Sequence, residues 1–193
     1  IDGGTFTIDW NGCTLTGSTW SHLLVISISA NVTLTDSSGN NAGGVRNTGS
    51  GTAVCAGMNS PGSVKIQGGT YSPNVTKAQR CYGSVQISGG VFENSADDGQ
   101  SSALYDESGK SLSGMLAEGY AFAYDADGSE LLNAYSTNVS DNYRNVYVVA
   151  HTHEFENGVC ACGYECPHEG WMDDGVCDLC GMVFAASVTK NGV

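Results

Sequence analysis

The sequence predicts an all-β chain in two parts, a parallel β-helix (a solenoid) followed by a small Cys/His metal-binding module. Three observations carry this. Segments 62–71 (GSVKIQGGTY) and 83–92 (GSVQISGGVF) align without a gap at a spacing of 21 residues. Repetition at a fixed period of that order marks stacked repeat architectures. Within each copy the apolar residues alternate, Val64 with Ile66 and Val85 with Ile87, which is the periodicity of a strand with one buried face. Beyond Ala150, a set of nitrogen and sulfur donors suited to a soft metal occurs twice.

Taken in order, Gly3-Gly4-Thr5-Phe6 matches the tail of the repeat, Gly68-Gly69-Thr70-Tyr71, and so predicts a first strand turn. Segment 30–36 (ANVTLTD) is a looser copy, and segment 109–114 (GKSLSG) another. A single rung cannot bury its own apolar face, so rungs stack with their hydrogen bonds along the axis. Val32, Val64 and Val85 then form one internal ladder and Leu34, Ile66 and Ile87 the next, with Lys65, Gln67, Gln86 and Ser88 outside. The paired glycines turn the chain between short strands, and an aromatic (Phe6, Tyr71, Phe92) follows on the next strand. A β-sandwich is the alternative, with longer strands and looser repetition.

Cys55 and Cys81 fall near the same point of consecutive rungs, with the longer loop at residues 58–61 taking up the extra spacing. Neighbouring strands lie about 4.8 Å apart, within reach of a disulfide; two buried free thiols are an equal reading. Cys13 has no evident partner. After Gly114 the pattern changes, to an apolar segment at 115–124, an Asp-Gly turn at 125–128 and a last strand at 145–149. Tyr120, Phe122 and Tyr124 alternate, a stripe that suits a solenoid cap better than a sugar platform.

The donors come as two close pairs per copy. The first copy reads His151-x-His153, then Cys160-x-Cys162; the second reads Cys166-x-His168, then Cys177-x-x-Cys180. Gly158-Val159-Cys160 echoes Gly175-Val176-Cys177, and Cys162-Gly163 echoes Cys180-Gly181. Two chelating pairs on separate turns close a tetrahedral shell, and a shell filled by protein is a structural zinc site, not a catalytic one. One zinc fed by both copies, or two ions, fits this pattern. Disulfides compete, but the odd number of cysteines leaves one thiol over and gives the histidines no role. A module of residues 150–184 is below the size that folds on apolar burial alone, and a metal supplies what is missing.

These features divide the 193 residues into a repeat domain at 1–149, the zinc-binding module at 150–184 and a tail or linker start at 185–193. The 27 glycines follow no Gly-x-y period, which excludes collagen. A net charge of -13 with 7 Lys plus Arg argues against nucleic acid and against attachment to anionic lipid. No apolar run approaches the roughly 20 residues of a membrane span; residues 23–28 are of strand length. The start at Ile1 without a methionine predicts a fragment or processed form of a larger polypeptide. Acidity with abundant Ser, Thr, Asn and Gly predicts an extracellular surface. Sequons begin at Asn31, Asn74 and Asn138, a match that this composition produces readily by chance.

Segments 3–9 (GGTFTID), 12–17 (GCTLTG), 31–39 (NVTLTDSSG) and the two GSVxIxGG units resemble the β-helical repeats of large surface proteins from anaerobic Gram-positive gut bacteria. Segment 116–122 (LAEGYAF) and the closing zinc-ribbon-like Cys/His module resemble that family's C-terminal edge. The resemblance implies a right-handed parallel β-helix of the pectate-lyase type, covers residues 1–184, and carries no catalytic residue with it.

Parallel β-helices host lyases and glycosidases as well as adhesins, so function rests on the site. A lyase needs a base, and the cations of the body are Arg46, Lys65, Lys77, Arg80 and Lys110, with Lys77 and Arg80 in an inserted loop. A hydrolase needs two facing carboxylates; Asp97, Asp98, Asp106 and Glu107 form the one cluster, in a loop where solvated acids are the default. The expectation is a non-catalytic surface, adhesin-type or stalk module that binds a glycan or a surface protein. The alternative is a fragment of a polysaccharide-active enzyme.

Overall fold

The computed structural model describes residues 1–59, 61–94, 102–108, 111–134, 145–167, 176–177 and 179–182. His168, Asp97, Asp98, Lys110, the sequon at Asn138 and the tail 185–193 lie outside the described residues.

The described chain is all-β. Its strands are β1 (Asp2–Asp9), β2 (Thr14–Gly17), β3 (His22–Thr35), β4 (Gly44–Asn47), β5 (Thr52–Met58), β6 (Ser63–Ser72), β7 (Val75–Lys77), β8 (Ser84–Phe92) and β9 (Leu104–Asp106). A 3-10 turn at Leu112–Met115 precedes β10 (Tyr120–Ala123), β11 (Val146–Ala150), β12 (Phe155–Glu156) and β13 (Val159–Cys160). No helix among the described residues is long and apolar enough to cross a membrane.

β1 to β9 pair in parallel, in three ladders. Phe6, Val32, Val64 and Val85 succeed one another in the first. Leu15, Val45, Tyr71 and Phe92 form the second. Leu24, Val54, Val75 and Leu104 form the third. The chain visits these ladders in the same order on each pass. Val32, Val64, Val85, Leu34, Ile66 and Ile87 are all buried, in the pairings the repeat predicts. Alternation explains this: one face of each strand is aliphatic and the other is Lys65, Gln67 or Gln86, all exposed. Tyr71 and Phe92 stack at 5.6 Å between ring centroids.

The glycines of the repeat have separate reasons. A Cβ on Gly83 would run into the Gly62 carbonyl, and one on Gly62 into that of Ala30. Gly69 and Gly90 have φ of 97° and 112°, which side-chain-bearing residues rarely adopt. These pairs do not end the strands: β6 and β8 run through them, with register shifts at the glycines.

Several expectations are corrected. The sheet is mixed, because β11 joins β8 and β10 antiparallel. Phe6 stands in register with Val32, not with Tyr71, so the match of Gly3-Gly4-Thr5-Phe6 to the tail of the repeat is a coincidence of composition. Leu15 holds the Tyr71 place. Segment 109–114 is no strand copy where described: Leu112 enters the 3-10 turn, buried, and Leu116 supplies the bridge to Ile87. Cys55 is level with Thr76, not Cys81, and both cysteines are free thiols; burial pushes Cys55 up to about 12. Lys77 lies on β7, not in an inserted loop. Asn74 is buried, its amide oxygen accepting from Thr76, so that sequon is covered. Phe122 is fully buried, with Tyr120 and Tyr124 packed against the core.

Candidate metal centre

After β11 the chain turns at His151, whose N–H bonds the Gly119 carbonyl, and enters the β12–β13 hairpin. Asn157 and Gly158, both at positive φ, make its turn. The Gly163 N–H donates to Cys160 O, and the Cys160 N–H donates to Tyr164 O, so the chain reverses tightly around the two thiols. The Ala134 N–H bonds Cys162 O, and Ala121 packs with Cys160 and Cys162. The hairpin is thus seated on β10 and the segment after it.

Folding brings His151, His153, Cys160 and Cys162 together, all four donor atoms within 4.8 Å of one another. His151 Nε2 lies 3.2 Å from Cys160 Sγ, and His153 Nδ1 lies 3.4 Å from Cys162 Sγ. Metal–sulfur bonds of about 2.3 Å and metal–nitrogen bonds of about 2.0 Å set tetrahedral edges of roughly 3.6 Å between N and S. These two edges are at that size within a few tenths of an ångström.

Its electrostatics ask for a cation. Burial pushes the Cys162 thiol up to about 11, and the neighbouring Cys160 sulfur adds to it. Two buried thiols in contact ionise together only if positive charge sits between them, as a bound dication would supply. Burial and the nearby His151 lower His153 and keep it a neutral imidazole, the form that ligates. His153 Nε2 is buried with no hydrogen-bond partner in the structure. The His153 ring stacks on Tyr164, centroids 4.2 Å apart and planes 9° from parallel. Sequence reasoning does not single out Tyr164; the available signal is its place after Gly163, mirrored by Met182 after Gly181.

The second set forms around Cys166, Cys177 and Cys180, again within 4.8 Å. Cys166 Sγ and Cys177 Sγ are 3.7 Å apart, against about 3.8 Å for a tetrahedral S–S edge at zinc–thiolate length. Gly181, at φ 68°, donates to Cys177 O, and Cys177 donates to Met182 O. The knuckle of the first set recurs here with one residue more. Cys166 is tied to the first hairpin, its N–H bonding Gly158 O. Both sets therefore hang on one β-turn, and a cleft of about 490 Å³ between them is lined by His151, His153, Tyr164, Pro167 and Leu179.

The other candidates have different partners. Lys77 Nζ sits 3.2 Å from Asp106 Oδ2, and the Asp106 carboxylate is completely buried rather than solvated. Ser108 donates to its other oxygen through N–H and hydroxyl. Glu107 Oε2 accepts from the Gln79 backbone N–H. On the lateral face, a groove of about 220 Å³ is lined by Thr14, Asn41, Arg46, Thr70, Ser72 and Glu93. Its carboxylate, Glu93, pairs with Arg46 at 3.2 Å. No family model, curated protein or solved structure matches the chain.

Proposed function

We propose that the chain is a non-catalytic module of an extracellular surface protein: a right-handed parallel β-helix closed by a Cys/His module that structural zinc holds together. The observation that carries this reading is the set His151, His153, Cys160 and Cys162, whose four donors all come from protein. Such a shell leaves no position for substrate. Mixed thiolate and imidazole ligation favours zinc over the harder divalent ions. A second zinc would sit among Cys166, Cys177 and Cys180, with His168 completing the shell.

The β-helix reading draws on the three parallel ladders, each pass through them being one coil. Right-handedness follows from the near-universal hand of parallel crossovers. The resemblance to gut-bacterial surface repeats and the acidic, Ser/Thr-rich face favour a stalk or adhesin-type role at the cell surface. Its partner would be a glycan or a surface protein, not nucleic acid or a membrane interior. The structural pairing of Lys77 with Asp106 and of Arg46 with Glu93 counts against a polysaccharide-active site on these groups.

Elemental analysis of protein purified without added metal tests the central claim, with roughly one to two zinc ions per chain expected. A metal-free chain with Cys166 to Cys180 locked in disulfides overturns it. Incubation with pectins, glycosaminoglycans and mucin glycans is expected to release no reducing or unsaturated sugar; release would return the enzyme reading.

A further inference from the structure

The two ends of the parallel stack are finished differently. At the C-terminal end, β11 lies on β8, Leu116 bridges to Ile87, and Leu112, Met115, Phe122 and Leu132 are buried over the last strands. Val85, Phe92 and Leu104, the last members of the three ladders, are 1% exposed or less. At the other end the same ladders begin with Phe6 at 45% and Leu15 at 43% exposed, and with Leu24 half-buried. Side chains at core positions, on all three faces, are open at one end only.

We infer that this end is an internal seam, covered by one further parallel coil of the same polypeptide lying ahead of Ile1. This rests on the β-helix reading above.

The register says where that coil would lie. β1 pairs with β3 only from Ser27 onward, and among the described strands none pairs with residues 22–26 from that side. In later passes the equivalent face is continued by β5 on β3, β7 on β5 and β9 on β7. The Ile1 nitrogen already donates to Val25 O, and Ile1 O accepts from the Ser27 N–H. That is the slanted pattern of a parallel ladder. Chain extended backwards from Ile1 therefore runs onto residues 22–25, and its earlier strands come over β2 and β1.

A lone peptide strand would cover one ladder of the three. A second copy would meet this end head to head, with its strands antiparallel, and would not continue the parallel pattern that Ile1 already makes with Val25 and Ser27. A net charge of -13 on each copy also opposes self-association.

The test compares this chain with one extended by whatever residues its gene encodes ahead of Ile1, up to about 20 to 30 of them, one coil's length; a gene that encodes none there overturns the inference. Amide exchange along β1 and β2 is expected to slow on the order of tenfold or more in the longer chain. Phe6→Lys, nearly silent in the short chain, is expected to lower the melting temperature of the long one clearly, because Phe6 becomes buried there. Unchanged exchange with Phe6→Lys equally silent in both chains overturns the inference. So does a short chain already protected along β1 as a dimer. A structure in which β3, β6 and β8 are not parallel would instead remove the β-helix reading itself, so the two failures are distinguishable.

Discussion

The Asp36 carboxylate accepts from the Gly12, Gly43 and Ser38 N–H groups and from the Ser38 hydroxyl, at 2.7 to 3.3 Å. Burial raises its pKa, but these hydrogen bonds outweigh that and hold it at about 2, below the ordinary 3.8. A depressed folded-state pKa means its contribution is complete above about pH 4 and fades as pH falls towards 2. Acid unfolding followed by circular dichroism should show this, and Asp36→Ala should flatten the response between those values. At neutral pH the same variant strands the Gly43 and Gly12 donors and should cost about 1–3 kcal/mol in urea unfolding. Lys77 poses the opposite problem. Its removal leaves the buried Asp106 carboxylate without its cation, so Lys77→Ala should cost about 3–5 kcal/mol. Adding Asp106→Asn should recover part of that loss; no recovery would mean that the Lys77 stem, not its charge, is what matters.

The β12–β13 hairpin has two residues per strand and a core of Ala121, Cys160 and Cys162 with a few partly buried neighbours. That is too little apolar burial to hold it alone, so thiolate–metal bonds would be its main free energy. Chelation should release the hairpin together with residues 119–134, because the Gly119 carbonyl and the Ala134 N–H are bonded to it. Exchange protection in β3, β6 and β8 should stay. Loss of protection throughout would mean the module is not a separable element. Cys162→Ser should disturb both metal sets, since Cys166 hangs on the same turn, whereas Cys180→Ser should disturb the second alone. Donor pairing was legible because chelate spacing is local: His151-x-His153 and Cys160-x-Cys162 need only short turns. The seat on β10 was not, because Ala121 and Ala134 carry no chemical signature until tertiary contact places them against the thiols.

Across the whole molecule, the ladders were legible where each rung repeats its neighbour, as Val64 and Ile66 do with Val85 and Ile87. They are not legible at Phe6, because Gly-Gly-Thr-aromatic is a composition and register is fixed by what stacks beneath it. The same logic grades stability along the axis. In a parallel ladder each inner strand is held by its neighbours on both sides. Ile66 has Leu34 on one side and Ile87 on the other and is fully buried. Phe6 has Val32 on one side and is 45% exposed. Ile66→Ala should therefore cost about 2–5 kcal/mol, the range for emptying a closed core position, and should loosen β3, β6 and β8 together. Phe6→Ala in this chain should cost well under half as much and raise exchange only in β1 and its contact with β3. Urea midpoints give the magnitudes and residue-resolved exchange gives the extent. Equal costs for the two variants would show that the end rung is held as firmly as the middle, and that the stack does not behave as a sum of nearest-neighbour contacts.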